Sequence, residues 1–425
     1  MRVLTISNLF PRPDQPQRGL YNAQLFGAMA ERLKGSDRSA SPGSSSSLRQ
    51  VTLVPEWRLW RWGGIRRLTA GASAASCLST IYRPVFYIPL FGRSLGHRTY
   101  AWTMRGLREE IQWADVVYAS WLYPDGVVAA RLARRFGRRT WIMVLGSDTF
   151  HLRHAGLRRR IRAAAGEAEG FVCVWRGLAD RLRAAGIAPG KLHVVPNGVD
   201  RAVFHFRTVA DATAELEAIQ GPWWGEPRAG TDGPRPRLVL FVGNLEPVKG
   251  ADIMVRTFTE LAKRSAARDR LLMIGDGSLR PSLERQASAA GLADRIRLLG
   301  RRPHAEVARW MNVADALCLT SRSEGMPNVV IEALASGCPV VAADVGACGD
   351  LLKDEPACAC VAVSGGRPET ASATGPFEAL AAALLDVLAR PADRAALARR
   401  NAERFSWDRM AGQILKLMTA GGDGP

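Results

Sequence analysis

Residues Ser321–Val341 read SRSEGMPNVVIEALASGCPVV. The apolar run Ala316–Leu319 just before them has the length and composition of a short buried strand. Pro339–Ala342 at the far end has the same character. Between the two lie a loop and a helix, which begins near Pro327, a residue type favoured at the first helical position, and covers Val329–Ser336. Neither strand shows polar alternation, as expected of parallel strands covered on both faces. Working outward, the same unit recurs. Leu238–Val242, Arg270–Ile274 and Ile296–Leu299 precede it, and Ala359–Val363 follows. An earlier series occupies Arg2–Ser7, Val51–Pro55, Val116–Ala119, Trp141–Leu145, Gly170–Val174 and Leu192–Val195, with helices such as Gly19–Lys34 and Asp252–Arg268 in the gaps. Strand–helix alternation in two series predicts two doubly wound α/β domains, with ligands beyond the carboxyl ends of their strands.

Composition agrees. The chain has 425 residues, 47% hydrophobic and 23% charged, which suits two domains with sizeable cores. It excludes a disordered chain, a collagen-like repeat and a coiled coil. No apolar stretch reaches the ~20 residues of a membrane span. MRVLTISNLF reads as a strand rather than a cleavable signal, so a cytosolic protein is expected. The seven cysteines show no paired knuckles of a zinc site, and Cys338, Cys348, Cys358 and Cys360 lie among Ala and Val as small buried hydrophobes. Gly35–Ser47, Gly221–Arg237 and Ser364–Pro376 have loop or linker composition.

The net charge is +18, and residues 1–200 carry +17 of it. Uniform codon bias does not explain that asymmetry; an anionic partner does. Two clusters stand out. WRLWRWGGIRRL (Trp57–Leu68) interleaves Trp57 and Trp60 with arginine. In LRHAGLRRRIRAA (Leu152–Ala164), Leu157, Ile161 and Ala164 fall on one helical face, with Arg158, Arg159, Arg160 and Arg162 covering the rest. Both suit an anionic membrane surface, and the second equally suits a core-facing helix with a solvated basic face.

Chemistry concentrates in the second half. A helix start near Pro327 offers backbone N–H groups to a phosphate. Glu324 in the loop and Glu332 in the helix, eight positions apart, are able to accept hydrogen bonds from sugar hydroxyls. Glu332 is either a solvated helix residue or, since Ile331, Ala333, Leu334 and Ala335 make the segment mostly apolar, a carboxylate with a partner, and the segment favours the second. Upstream, LVLFVGNLEPVKGAD (Leu238–Asp252) ends a strand at Gly243 and opens a helix near Ala251. Lys249 in that loop is one of only six lysines among 58 basic residues; on this segment alone it reads equally as a surface lysine and as a point charge suited to phosphate.

Taken together, these segments resemble the retaining nucleotide-sugar glycosyltransferases of family 4, which have the GT-B fold. HVVPNGVD (His193–Asp200), MIGDGSLRPSLE (Met273–Glu284), SNLFPRPDQPQRGLYNAQLF (Ser7–Phe26) and FSWDRMAGQILKLM (Phe405–Met418) extend the resemblance over most of the chain. It implies two Rossmann-like domains facing each other across a cleft. An acceptor-side domain would span residues 1–205, joined by a C-terminal helix at 406–420, and a donor-binding domain residues 206–405. By position, Glu332 matches the residue on the nucleotide ribose and Glu324 the glutamate near the donor sugar. Gly325, Met326, Pro327 and Asn328 match the turn that contacts sugar and diphosphate, and Lys249 matches the diphosphate lysine. Gly19 matches a glycine where a side chain would obstruct the diphosphate. Gly275, Asp276 and Gly277 match a turn lining the nucleotide pocket.

Three positions depart from the pattern. Asn244 stands where the family usually has an arginine, Leu145 where many members have a histidine before Gly146–Ser147–Asp148, and Trp175 where serine is common. His151 and His154 are the nearest substitutes for the missing histidine. The resemblance implies sugar transfer from a nucleoside-diphosphate sugar to an acceptor hydroxyl, with retained configuration and no metal or other cofactor. The acceptor implied is a glycan or lipid-linked hydroxyl of a bacterial polysaccharide or glycolipid, reached from the inner face of the cell membrane. Competing readings are a non-catalytic glycosyltransferase-like subunit, an epimerase or hydrolase on the same scaffold, and a basic nucleic-acid-binding protein. No zinc finger, RNP-like pattern or helix-turn-helix supports the last, so no nucleic-acid partner is expected.

Overall fold

A computed structural model describes the chain except residues 13, 16–17, 37–46, 57–77, 79, 88–91, 221–235, 266–268, 363–375 and 421–425. Trp57 and Trp60 therefore lie outside the described residues, as do most of the three loop segments. The described chain divides into two compact units. The first is Met1–Gly198 together with the chain from Trp407 onward, and the second is Val199–Ser406.

The first unit is built on a seven-stranded sheet. Its strands are β1 (Val3–Ser7), β2 (Leu48–Pro55), β3 (Thr80–Val85), β4 (Val116–Ser120), β5 (Arg139–Val144), β6 (Gly170–Cys173) and β7 (Leu192–Val194). Their spatial order is β3-β2-β1-β4-β5-β6-β7, and every pairing is parallel. The uninterrupted apolar runs have their expected consequence: all five residues of β1, of β4 and all but one of β5 are buried. The helix Trp407–Ala420 joins this unit. It turns Met410, Ala411, Ile414 and Met418 inward, and Arg32 of the helix Leu20–Ser36 clamps Asp408 through Nε and Nη2 at 2.6 and 2.7 Å.

The second unit holds β8 (Leu238–Val242), β9 (Arg270–Ile274), β10 (Ile296–Gly300), β11 (Ala316–Leu319), β12 (Val340–Ala343) and β13 (Ala359–Val361). The order is β10-β9-β8-β11-β12-β13, again all parallel. Its core joins Val239 and Phe241 of the sheet to Met254, Phe258 and Leu261 of the helix Ala251–Arg264 and to Leu380 and Leu384 of the helix Pro376–Ala389. In each sheet the winding direction reverses beside the first strand, between β1 and β4 and between β8 and β11. Ligands bind outside the carboxyl ends of strands at such switch points.

Several sequence expectations need correction. β3 was not among the expected strands; its stretch TIYRPV carries Arg83 and Pro84, tolerated because β3 is an edge strand. The units part at Gly198/Val199 rather than 205/206. Val199 bridges to Ser406, and its N–H donates to the Phe405 carbonyl, which ties residues 199–205 to the second unit. The helix after β11 begins at Asn328, with Pro327 as its extended N-cap. Cys360 is exposed on the edge strand β13, whereas Cys338 and Cys348 are buried, and burial pushes both thiols up to about 12. In the helix Ala155–Glu167, the Leu157, Ile161 and Ala164 face is buried in the unit's own core. Only the arginine face remains, with Arg158, Arg159 and Arg162 exposed and Arg160 partly so.

Candidate active site

The two loops singled out in the second half meet at the β8/β11 switch point. β8 ends at Val242 and runs into Gly243–Gly250; β11 ends at Leu319 and runs into Thr320–Pro327. The loops are stitched together by backbone. The Arg322 N–H donates to the Val248 carbonyl (2.9 Å), and Thr320 Oγ1 donates to the Gly250 carbonyl (2.8 Å). Gly250 has φ +64° and caps the helix Ala251–Arg264; a Cβ there would lie 1.9 Å from the Thr320 carbonyl oxygen. Glycine is required on both counts.

This stitching brings Lys249 onto Glu324. Lys249 Nζ donates to Glu324 Oε1 at 2.7 Å and Oε2 at 3.0 Å, and Ser321 Oγ donates to Oε1 at 2.6 Å. The Glu324 side chain is 9% exposed and the Lys249 side chain 33%, so the cation keeps an open side towards solvent. Ser321 was quoted in the motif without a role; its hydroxyl orients the carboxylate. Behind Glu324, the Ala347 N–H donates to the Gly325 carbonyl, and Gly346 (φ +61°) packs where a Cβ would lie 2.4 Å from that oxygen. The Glu324–Gly325 turn is thus held by its own backbone.

No side chain caps the helix Asn328–Ala335. Its start lies directly after the turn Gly325–Pro327, and its dipole places positive potential there. One turn further on, Glu332 is half-buried and has no protein partner among the described residues. Burial pushes its carboxyl up to about 7.

Three glycines pave the ends of adjacent strands. The Gly243 N–H donates to the Ile274 carbonyl, and the Gly275 N–H to the Gly300 carbonyl. A Cβ on Gly275 would lie 1.9 Å from the Gly243 oxygen, and one on Gly277 2.5 Å from the Leu245 oxygen. Asp276 is exposed and accepts the Gly277 N–H, while Glu246 accepts from the Ser278 N–H and hydroxyl. Asn244 is exposed beside this floor. Arg322, one of two arginines able by motif position to replace the charge missing at Asn244, is committed elsewhere. Its Nη1 and Nη2 grip Asp252 at 2.8 and 2.7 Å. Burial opposes ionisation of Asp252, yet that grip holds its carboxyl below the usual range. Arg301, the other candidate, is exposed directly after Gly300.

The first unit has its own polar cluster at the β1/β4 switch point. Asp125 accepts from the Asn8 N–H (2.8 Å) and Asn8 Nδ2 (3.4 Å); Asn22 Nδ2 donates to Ser7 Oγ and the Leu9 carbonyl; Ser120 Oγ donates to Asn22 Oδ1. Burial pushes Asp125 up to about 8, against the pull of the Asn8 N–H, with nearby Asp148 adding to the rise. Asp148 accepts the N–H groups of Leu145, Gly146 and Leu122, and burial still raises it. The sequence reading missed Asp125, although a lone carboxylate inside Tyr-Pro-Asp-Gly after an apolar strand was the available signal. Gly19 has φ +65°, and a Cβ would lie 2.4 Å from the Leu9 carbonyl carbon, so its first constraint is the local fold. His151 packs 5.2 Å from the Tyr123 ring, whose hydroxyl lies 3.2 Å from His97 Nδ1. His154 is exposed at the helix start. At Trp175 the indole lies beneath Arg181, and its Nε1–H is buried with no acceptor among the described residues.

Comparison with known proteins places this geometry. Residues 236–390 match the family model described as glycosyl transferases group 1, and residues 58–203 the model for glycosyltransferase family 4. Between them the two models cover more than half of the chain. The chain belongs to the group 1, family 4 glycosyltransferases. Among relatives, a D-inositol 3-phosphate glycosyltransferase of Jonesia denitrificans is 33% identical over 53% of this chain and 51% of its own length. One of Segniliparus rotundus is 33% identical over 53% and 46%. The chain thus spans about half the length of these curated relatives. Solved structures share the fold over nearly the whole chain. A sucrose-phosphate synthase from Thermosynechococcus elongatus has a TM-score of 0.68 at 17% identity, covering 99% of this chain and 100% of its own. HepE from Anabaena, solved in complex with UDP, has a TM-score of 0.66 at 17% identity, with the same coverage. The architecture is GT-B, two parallel-sheet α/β domains of seven and six strands.

Among the described residues, no group of three or more His, Cys, Asp or Glu side chains is arranged to hold a metal ion, and no helix is long and apolar enough to cross a membrane.

Proposed function

We propose that the chain transfers a glycosyl group, with retention of anomeric configuration, from a nucleoside-diphosphate sugar to an acceptor hydroxyl. The observation that carries the reading is the convergence at the β8/β11 switch point: an accessible ammonium at Lys249, a helix start after Pro327 with no side-chain cap, and a carboxylate at Glu332 with no partner among the described residues. Each suits one part of the donor. Lys249 and the helix start take the diphosphate, and Glu332 accepts from the ribose hydroxyls, the partner its half-buried position lacks. Glu324, fixed by Lys249 and Ser321, lies beside the sugar. In transfer, the bond between sugar C1 and the β-phosphate oxygen breaks, and the acceptor oxygen bonds to C1 on the same face. The acceptor proton leaves with the diphosphate. Lys249 and the helix dipole stabilise the charge that develops on the departing oxygen.

UDP-sugars are the first donors to test, because HepE of the same fold is solved with UDP. The proposed acceptor is a glycan or lipid-linked hydroxyl, with the protein peripheral on an anionic membrane face. The basic first half of the chain and the exposed arginine row of the helix Ala155–Glu167 support that placement. The test is incubation with UDP-, GDP- and ADP-sugars and an acceptor panel, following diphosphate release and the anomeric proton of the product by NMR. Release of nucleoside diphosphate with a retained anomer supports the reading. An inverted anomer, or no release from any donor, refutes it.

A further inference from the structure

Directly after the Gly146–Ser147–Asp148 turn at the carboxyl end of β5, the first unit has a cavity of about 430 Å³. All of its lining residues belong to the first unit, and they come from two stretches of the chain. Thr149, Phe150, Leu152 and Arg153 form the turn, Arg158 comes from the helix Ala155–Glu167, and Arg181 from the helix Arg176–Ala184.

Its electrostatics are one-sided. Three guanidiniums line it, and no lining residue is acidic. Arg153, Arg158 and Arg181 form no ion pair with any carboxylate among the described residues, unlike Arg139, which pairs with Glu169, or Arg183, which pairs with Asp180. Like charges gathered around one small space repel unless an anion enters. Two of the guanidiniums are also positioned by neighbours. Arg181 Nη1 donates to Thr149 Oγ1 (3.2 Å) and lies over the Trp175 ring; Thr149 Oγ1 donates to the Gly146 carbonyl (2.7 Å); Arg153 stacks on Phe150 at 5.0 Å. Forked donors with fixed orientation suit the oxygens of a phosphoryl group better than a point charge does. The remaining wall is apolar. Phe150 stays 47% exposed, an unusual position for a large ring, and Leu152, Ala184 and Ala185 continue the surface.

We infer that this pocket binds a phosphate monoester or diester, with the guanidiniums on the phosphoryl oxygens and the organic part against Phe150. The same chemistry is presented by a soluble phosphate ester and by a phospholipid headgroup.

The experiment is calorimetric titration of the full chain with phenyl phosphate and inorganic phosphate, with UDP present at saturation to occupy the nucleotide site. A parallel arm sediments the protein with phosphatidylglycerol or phosphatidylcholine vesicles. Phenyl phosphate should bind more tightly than inorganic phosphate, and Phe150→Ala should abolish that preference. Arg153→Gln with Arg158→Gln should weaken phenyl phosphate roughly tenfold or more while leaving UDP affinity intact. Both arginines are exposed, so an unchanged UDP titration also certifies the fold. Phenyl phosphate binding without sedimentation identifies a soluble ester. Sedimentation on phosphatidylglycerol alone, lost in the double variant and competed by phenyl phosphate, identifies a headgroup. Phenyl phosphate affinity equal in wild type and the double variant, or absent from both with no vesicle binding, overturns the inference. If UDP itself does not bind, only the choice of uridine as the donor base fails, and the variant comparison without UDP still decides the pocket.

Discussion

Lys249 Nζ lies 2.7 Å from Glu324 Oε1, although 75 residues separate them in the chain. The ammonium is therefore neutralised before a diphosphate arrives, and the donor has to compete with or share this carboxylate. Two substitutions separate the roles. Lys249→Ala should lower kcat/KM roughly tenfold or more, because it removes charge facing the leaving group. Glu324→Gln should bind UDP more tightly than wild type, since Lys249 is released to the phosphates, while lowering kcat. Paired calorimetry and steady-state kinetics check both, and UDP affinity that drops in Glu324→Gln would refute the competition.

Glu332 makes a pH prediction with a definite sign. Its carboxyl is raised from an ordinary 4.5 to about 7 by burial, so the folded chain holds a proton that the unfolded chain has lost across that window. Stability must then fall as pH rises from about 4.5 to about 7. Glu332→Gln should flatten this part of the profile and raise stability at pH 8 by an amount on the order of 1–3 kcal/mol, seen as a higher melting temperature. Donor affinity should run the other way and increase with pH through 7, because ribose hydroxyls need the ionised acceptor. Melting curves and UDP titrations at pH 5, 6, 7 and 8 read both slopes.

Gly250 and Gly19 should respond to alanine through the fold. At Gly250 the Cβ would sit 1.9 Å from the Thr320 oxygen, and at Gly19 2.4 Å from the Leu9 carbonyl carbon, each with positive φ. Both substitutions should cost about 2 kcal/mol or more in denaturant unfolding. Gly19→Ala with wild-type stability and impaired donor binding alone would restore the simpler view that this glycine only makes room for diphosphate.

Asn244 tests the missing charge. Arg322 cannot serve while Asp252 grips it, so Asn244→Arg should tighten UDP binding by roughly three- to tenfold. Arg322→Ala should mainly destabilise the β8/β11 loops. Unchanged affinity in Asn244→Arg would show that Arg301 already fills that position.

Much of this was legible in the chain because burial on both faces writes itself as short unbroken apolar runs. That pattern located twelve strands, and the Ser321–Val341 and Leu238–Asp252 segments lie at the switch point it implied. Glu332 among Ile331, Ala333 and Leu334 stood out as a carboxylate in a mostly apolar segment for the same reason. Edge strand β3 was not readable, since Arg83 and Pro84 break the apolar run and an edge tolerates both. Nor were the Lys249–Glu324 pair and the Arg322–Asp252 grip, which depend on a fold that brings together residues 75 and 70 positions apart. The phosphoryl pocket was hidden for a related reason. Arg158 was visible as part of a basic row, but its alliance with Arg153 and Arg181 exists only in three dimensions.

The central claim is that Lys249 and Glu332 form one nucleoside-diphosphate site, and titration of UDP into wild type, Lys249→Ala and Glu332→Ala tests it most directly. The account predicts saturable binding to wild type and a loss of roughly tenfold or more in each variant, with the Lys249 effect reduced when uridine replaces UDP and the Glu332 effect retained. Wild-type affinity in either variant, or equal losses of uridine and UDP in Lys249→Ala, would contradict it.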